Sequence, residues 1–241
     1  MFMTALSEDR AGRLVEFIGS GLRGTVVDIG CGWAELLMRV IAAAPQCRGL
    51  GVDLDADMIE HGRHLAEQRG LTDRITLTAG DAQTSLPDVA EAVICIGASQ
   101  VWNPPSEQNL PMNYARALTS IRAYVTRRAR VVYGEAIWSA PPTPEAVAPL
   151  GGRFDELVSF SELIEIAVES GFMPVAFHEA SAQEWDEFES GYSACYATWL
   201  AEHAPDHPDG HEVRAMARRQ RDANRGYRGT IGMAFLQLLA V

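Results

Sequence analysis

The run Val27-Asp28-Ile29-Gly30-Cys31-Gly32-Trp33 concentrates more potential chemistry than any other stretch of the chain. An acid sits inside the end of an apolar, β-branched stretch, and two glycines follow it. Glycine lets the backbone pass close to a ligand, and the start of a following helix offers free N–H groups. Such a turn suits a nucleotide-type cofactor. A nicotinamide fingerprint needs glycine at the sixth position counted from Gly30, and Glu35 stands there. Asp28 lies ahead of the glycines, where an acid tolerates a cation and repels a pyrophosphate. Asp53 ends a second apolar run, 21 residues after Gly32. A carboxylate there can accept two hydrogen bonds from vicinal ribose hydroxyls. Asp55 competes for that role, although its position suits the N-cap of the next helix. Asp81, in Gly80-Asp81-Ala82, follows a third apolar run; a lone acid there is also a common turn residue.

The elements that must position these residues follow from periodicity. Ser7 to Ser20 predicts a helix capped by Ser7. Helical spacing recurs in Leu36, Leu37, Val40, Ile41 and Ala44, in 57–69 closed by Gly70, and in Tyr114, Leu118, Ile121 and Val125. The capping box Ser159 to Glu162 opens another helix, closed by Gly171. Strands are predicted at 25–29, 49–53, 74–79, 92–96, 130–133, 172–178 and 230–241. Alternating strands and helices predict a doubly wound α/β domain over 1–241, with a mostly parallel seven-stranded sheet. Segment 181–229 interrupts the alternation. It opens with the capping box Ser181 to Glu184 and reads as two helices parted by Pro205 to Gly210. As an insertion beyond a strand's carboxyl end, it is expected to cap a substrate pocket, with the loop Ala140 to Pro149 as a second wall.

In these residues the chain resembles the class I S-adenosylmethionine-dependent methyltransferases, over about residues 7 to 241. Their first motif is an acid followed by Gly-x-Gly at the end of the first strand. The resemblance implies a Rossmann-like methyltransferase fold, S-adenosyl-L-methionine as cofactor and S-adenosyl-L-homocysteine as product. It assigns Asp28 to the methionyl ammonium, and Gly30, Cys31 and Gly32 to the methionyl and ribose part. Asp53 would hold the ribose and Leu54 the adenine face. Asp81 would accept from the adenine amino group beside Ala82. Gly97 and Ala98 would lie beneath the sulfonium, with Ser99 and Gln100 bordering the acceptor. The third glycine of the family pattern is Ala34 here, a small and helix-compatible replacement. Gly134-Glu135-Ala136-Ile137-Trp138 is similar to a Gly-Glu-Pro-x-Trp stretch of some small-molecule methyltransferases. The usual Pro-Gly-Gly before that strand is replaced by Arg127-Arg128-Ala129.

The implied activity is in-line methyl transfer to a small-molecule acceptor, with O-, N- and C-methylation all open. If the acceptor must lose a proton, Glu135 and His178 are the candidate bases, then Glu179. A cap or structural role competes for Glu135, and a strand-end polar role for His178. Trp138 is the preferred pocket wall; Trp185 is a further candidate that could instead pack the insertion. A cofactor-binding partner or sensor without catalysis, and an NAD(P)-dependent oxidoreductase, are the alternatives. The latter lacks a visible Tyr/Lys or His dyad.

The formal net charge of −12 argues against nucleic acid as a partner. The arginines from Arg214 to Arg228 read as a solvated helix face. Asn103-Pro104-Pro105-Ser106 resembles the Asn-Pro-Pro-aromatic motif of enzymes that methylate nucleobase amino groups. It starts six residues after Gly97 and lacks the stacking aromatic, so it reads as a proline-rich turn. Cys31, Cys47, Cys95 and Cys195 fit neither a zinc motif nor a disulfide framework, which points to a reducing cytoplasm. Pro205, Pro208 and Gly210 break the helix that would align His203, His207 and His211, so no metal site is expected. The start of the chain lacks a signal-peptide pattern, and its longest apolar tract is too short for a membrane span. A monomer or homodimer is expected.

Overall fold

Val26, Val27, Asp28 and Ile29 are all buried, so the strand they form, β1 (Gly24–Ile29), is covered on both faces. That is the condition of a central parallel strand. The computed structural model of the protein describes residues 2–103 and 110–241. Around β1 it arranges β2 (Cys47–Asp53), β3 (Ile75–Ala79), β4 (Ala90–Ile96), β5 (Val125–Trp138), β6 (Phe172–Glu179) and β7 (Ile231–Ala240). The sheet order is β3-β2-β1-β4-β5-β7-β6. β1 to β5 pair in parallel, and β7 runs antiparallel to both β5 and β6. The carboxyl ends of β1 to β5 therefore share one edge.

Side chains alternate along each strand, so the sheet builds two cores. On one face Val26, Ile94 and Val132 pack with α1 (Glu8–Gly19), α2 (Glu35–Ala43) and α3 (Ala56–Gln68), through residues such as Leu14, Leu37 and Ile59. On the other face Val27, Val93 and Val131 meet α5 (Tyr114–Tyr124) and α7 (Phe160–Glu169), through Leu118, Ile121 and Leu163. Short helical turns α4 (Ala82–Ser85) and α6 (Pro144–Val147) follow β3 and β5. Each fully buried aliphatic side chain contributes about 1.5–3 kcal/mol.

One strand and two backbone positions differ instructively from the sequence reading. β5 extends far beyond 130–133, because β7 pairs with it from Arg130 to Trp138 and supplies partners that local propensity does not reveal. Its first residues carry the turn where the resemblance anticipated Pro-Gly-Gly. There Arg128 is exposed and adopts φ 71, a left-handed conformation that favours glycine. Ala34 likewise is not helical: it precedes α2 at φ 60, ψ 33, where the family's glycine would be unstrained.

Segment 181–229 forms α8 (Ala182–Glu202) and α9 (Gly210–Tyr227). Glu184, third residue of the α8 capping box, ties this hairpin to α1. It receives Arg10 Nε at 2.8 Å and Nη2 at 2.7 Å, and also Ser7 Oγ at 2.6 Å. Both partners of the ion pair are buried. Trp185 and Phe188 add apolar contact to the same core. Burial pushes the Glu184 carboxyl up, but the Arg10, Ser7 and Ser181 donors outweigh it and hold it well below the usual carboxylate range.

Two stability measurements test this account. Arg128→Gly is expected to raise stability by about 0.5–1 kcal/mol, seen as a higher thermal midpoint. Glu184→Gln is expected to cost about 3 kcal/mol near neutral pH, because it leaves Arg10 buried without its countercharge. A depressed folded-state carboxyl stabilises above its unfolded value, so this deficit should shrink as pH falls through and below the ordinary glutamate range. Denaturant titrations of both proteins across pH 3–7 would show whether the gap closes.

Candidate functional site

The site begins where β1 stops. The N–H groups of Gly30 and Cys31 both donate to the Val52 carbonyl, at 2.9 and 3.1 Å, turning the chain over the end of β2. Gly30 (φ 65) and Gly32 (φ 53) hold left-handed backbone. A Cβ on Gly30 would lie 2.5 Å from the Ala98 Cβ, so the turn can pass the loop after β4 only as glycine. Asp53 then joins two loops. Its Oδ2 accepts from Gly32 N at 2.7 Å, and its Oδ1 accepts from Asp55 N at 2.9 Å. Its carbonyl receives Gly80 N at 2.8 Å, fastening the end of β3 to β2. Asp55 caps α3, accepting from Asp57 N and Met58 N. Asp81 caps α4 by accepting from Gln83 N, while Gln83 Nε2 donates to the Val101 carbonyl at 2.6 Å.

These loops enclose a cavity of about 630 Å³ over the carboxyl ends of the parallel strands. The structure brings Asp28, Gly30, Cys31, Gly32, Asp53, Leu54, Asp81, Ala82, Gly97 and Ala98 to its wall, together with Gln100 and Glu135. Asp28, Asp53, Asp55 and Asp81 all face it, and none has an ion-pair partner among the described residues. Asp28 is 5% exposed and receives no side-chain hydrogen bond from the described residues. Burial, then the neighbouring Asp53 charge, pushes its carboxyl well above the ordinary aspartate value. Burial and the same two acids push the Cys31 thiol up as well, which disfavours the thiolate.

Glu135 is 2% exposed, and backbone donors engage both its oxygens: Ser99 N at 2.7 Å and Ala136 N at 3.3 Å. Burial raises its carboxyl, and these bonds act against that rise. The residue thus pins the loop after β4 from beneath. Ser99 is fully buried, its hydroxyl bonded to the Tyr133 hydroxyl, so it supports the floor and does not border an acceptor.

Two further expectations are corrected. His178 is exposed on β6 and lines neither the large cavity nor the one beside α8, because β6 is the sheet's outer strand and β7 separates it from β5. Trp138 lines neither of these two; it packs with Ala146, Val147 and Leu157 in a small cluster under α6. Trp185 lines a separate cavity beside α8, and no residue of 181–229 reaches the large one. The Asn-Pro-Pro-Ser run lies outside the described residues except for Asn103, which lines the cavity.

Sequence reasoning missed Phe2, Met3, Thr4 and Leu6, which line the cavity ahead of α1. They lie outside any motif; only the fold brings them over Gly32 and Leu36. Among the described residues, no group of three or more His, Cys, Asp or Glu is placed to hold a metal, and no helix is long and apolar enough to cross a membrane.

Substitution should separate the roles within this wall. Gly30→Ala is expected to abolish ligand binding at the cavity and lower the thermal midpoint, since the added carbon meets Ala98. Glu135→Ala should cost about 1–3 kcal/mol by stranding the Ser99 N–H, whereas Glu135→Gln, which still offers an acceptor, should stay close to wild type in a melt.

Comparison with known proteins agrees with this geometry. Residues 26–120 match a family model described as a methyltransferase domain. Over 59 residues the chain is 34% identical to the methyltransferase ungE' of Aspergillus campestris, a match that covers 24% of this chain and 17% of that protein. The whole fold is similar to a SAM-dependent methyltransferase from Geobacter sulfurreducens, solved in complex with S-adenosyl-L-homocysteine. The TM-score is 0.83 at 21% identity, covering 100% of this chain and 94% of the other. A SAM-dependent methyltransferase from Thiobacillus denitrificans, also in complex with S-adenosyl-L-homocysteine, gives 0.82 at 22% identity, with 100% and 94% covered. The matched segment is a methyltransferase domain by its family model, and the whole-chain fold is the one these two SAM-dependent methyltransferases share.

Proposed function

We propose that the protein transfers a methyl group from S-adenosylmethionine to a small-molecule acceptor. The observation that carries this reading is the chemistry of the large cavity's wall. Acids stand at the ends of β1, β2 and β3 without cationic partners among the described residues, around a turn whose glycines admit close backbone approach. Such a wall fits a ligand with a positive charge and hydroxyls, and it disfavours a pyrophosphate.

The residues present fit the cofactor group by group. Asp28, buried and without a donor, suits an ammonium, which would draw its carboxyl back to the charged form. Asp53 spends one lone pair of each oxygen on the backbone and keeps others for two ribose hydroxyls. Asp81 and the exposed Leu54 border the space for the adenine. When bound, S-adenosylmethionine supplies an already activated methyl group. The protein's task is then positioning, which in favourable cases is worth on the order of 7–11 kcal/mol. Gly97 and Ala98 shape the floor, and Glu135 holds that floor through Ser99. We assign Glu135 a positioning role, since both its oxygens are bound to backbone donors. The four free cysteines support a reducing cytoplasm, and the acidic surface supports a partner other than nucleic acid. The working unit is a monomer or homodimer.

Calorimetric titration with S-adenosylhomocysteine and, separately, NAD⁺ tests the reading. Micromolar binding of the first, at least tenfold weaker in Asp53→Ala, and no heat with the second are expected. NAD⁺ binding without S-adenosylhomocysteine binding would replace methyl transfer with a nicotinamide chemistry.

A further inference from the structure

A second cavity, of about 200 Å³, lies between the insertion and the ends of β5, β6 and β7. Its walls are chemically one-sided. Trp185 and Tyr227 supply aromatic surface, with ring centroids 6.1 Å apart and planes inclined at 58°. Glu179, Asp186 and Glu189 supply carboxylates, and Arg228 is the one cation among the lining residues described. Arg228 is already spent on Asp186, through bonds of 2.9 and 2.7 Å. Among the described residues, Glu179 and Glu189 have no countercharge.

Glu189 is the telling one. It is 5% exposed, and its oxygens accept only from neutral donors, Gln220 Nε2 at 2.7 Å and the Tyr227 hydroxyl. Among the described residues it has no ion-pair partner. A buried carboxylate is ordinarily paired with a cation, because desolvating a lone charge is expensive. Glu179 lies across β7, bonded to the Ser139 hydroxyl. A side chain at Gly232 would overlap both Ser139 and Glu179, so glycine keeps this arrangement open. Trp185 Nε1 is also buried without an acceptor. Aromatic faces beside unpaired carboxylates are the chemistry that receives an alkylammonium.

The place of the cavity supplies the link to the reaction. Ile231 lines it, while Met233, two residues along the same face of β7, lines the large cavity. That separation is about 7 Å along the strand. We propose that the second cavity is the subsite for a cationic group on the methyl acceptor, an amine or quaternary ammonium about the size of choline. The acceptor's remaining atoms would extend over Met233 toward the large cavity. The link to an acceptor rests on the methyl-transfer reading; the cation site itself rests on the cavity's own residues.

The test uses choline as probe and 3,3-dimethylbutan-1-ol as its uncharged counterpart, titrated by calorimetry into the full chain with and without saturating S-adenosylhomocysteine. Choline should bind at least roughly tenfold more tightly than the alcohol. Glu189→Gln and the milder Glu179→Gln should each weaken choline by a similar factor and leave S-adenosylhomocysteine affinity unchanged, which also reports that the variants are folded. Equal affinity for choline and the alcohol, or choline binding that neither variant alters, overturns the cation site. Choline binding in a protein that fails to bind S-adenosylhomocysteine would uphold the site while removing methyl transfer and the acceptor role with it.

Discussion

The hydrogen bond from Gly32 N to the Asp53 carboxylate, 2.7 Å long, is the constraint on which the site depends. It joins the loop after β1 to the loop after β2 with a single side chain. It can form only because Gly30 and Gly32 take left-handed backbone and because Gly30 has no Cβ to strike Ala98. The bond therefore couples three strand ends, and the cavity exists as the space they leave. Gly80 N on the Asp53 carbonyl brings in a fourth loop. An acid suited to a ligand's hydroxyls is thus also the brace that shapes the ligand's space.

Unbalanced negative charge is the second organising feature. The protein carries a formal net charge of −12; the buried Glu184 is answered by Arg10, and the partly buried Glu35 by Arg39 and Arg69. Asp28 in one cavity and Glu189 in the other are not. Folding tolerates such groups only at a cost in stability, so their persistence in cavities points to ligands that supply the missing charge. Arg10 illustrates the opposite use of charge, since it fastens α8 to α1.

What could be read from the chain in advance was local. β-branched runs ending in glycine, capping boxes at Ser159 and Ser181, and acids at strand ends depend on a few neighbouring residues. The elements, and the residues from Asp28 to Ala98 that line the large cavity, were legible for that reason. Asp55 as a helix cap was legible too, since the cap is formed within three residues.

What only the tertiary structure decided involves partners distant in sequence. The length of β5 depends on antiparallel β7, about a hundred residues away. The exposure of His178 depends on β6 being the outer strand, and the burial of Trp138 on α6 and Leu157 closing over it. Ser99 and Glu135 could each be flagged as polar residues after a strand, but their mutual bond, 36 positions apart, turned both into supports for the floor. The sequence by itself determined the elements and which chemistry stands at the strand ends, because those signals are short-range. The fold decided which of those residues face a cavity and which hold its walls, because burial and hydrogen bonding are settled by neighbours that the chain brings together only when it closes.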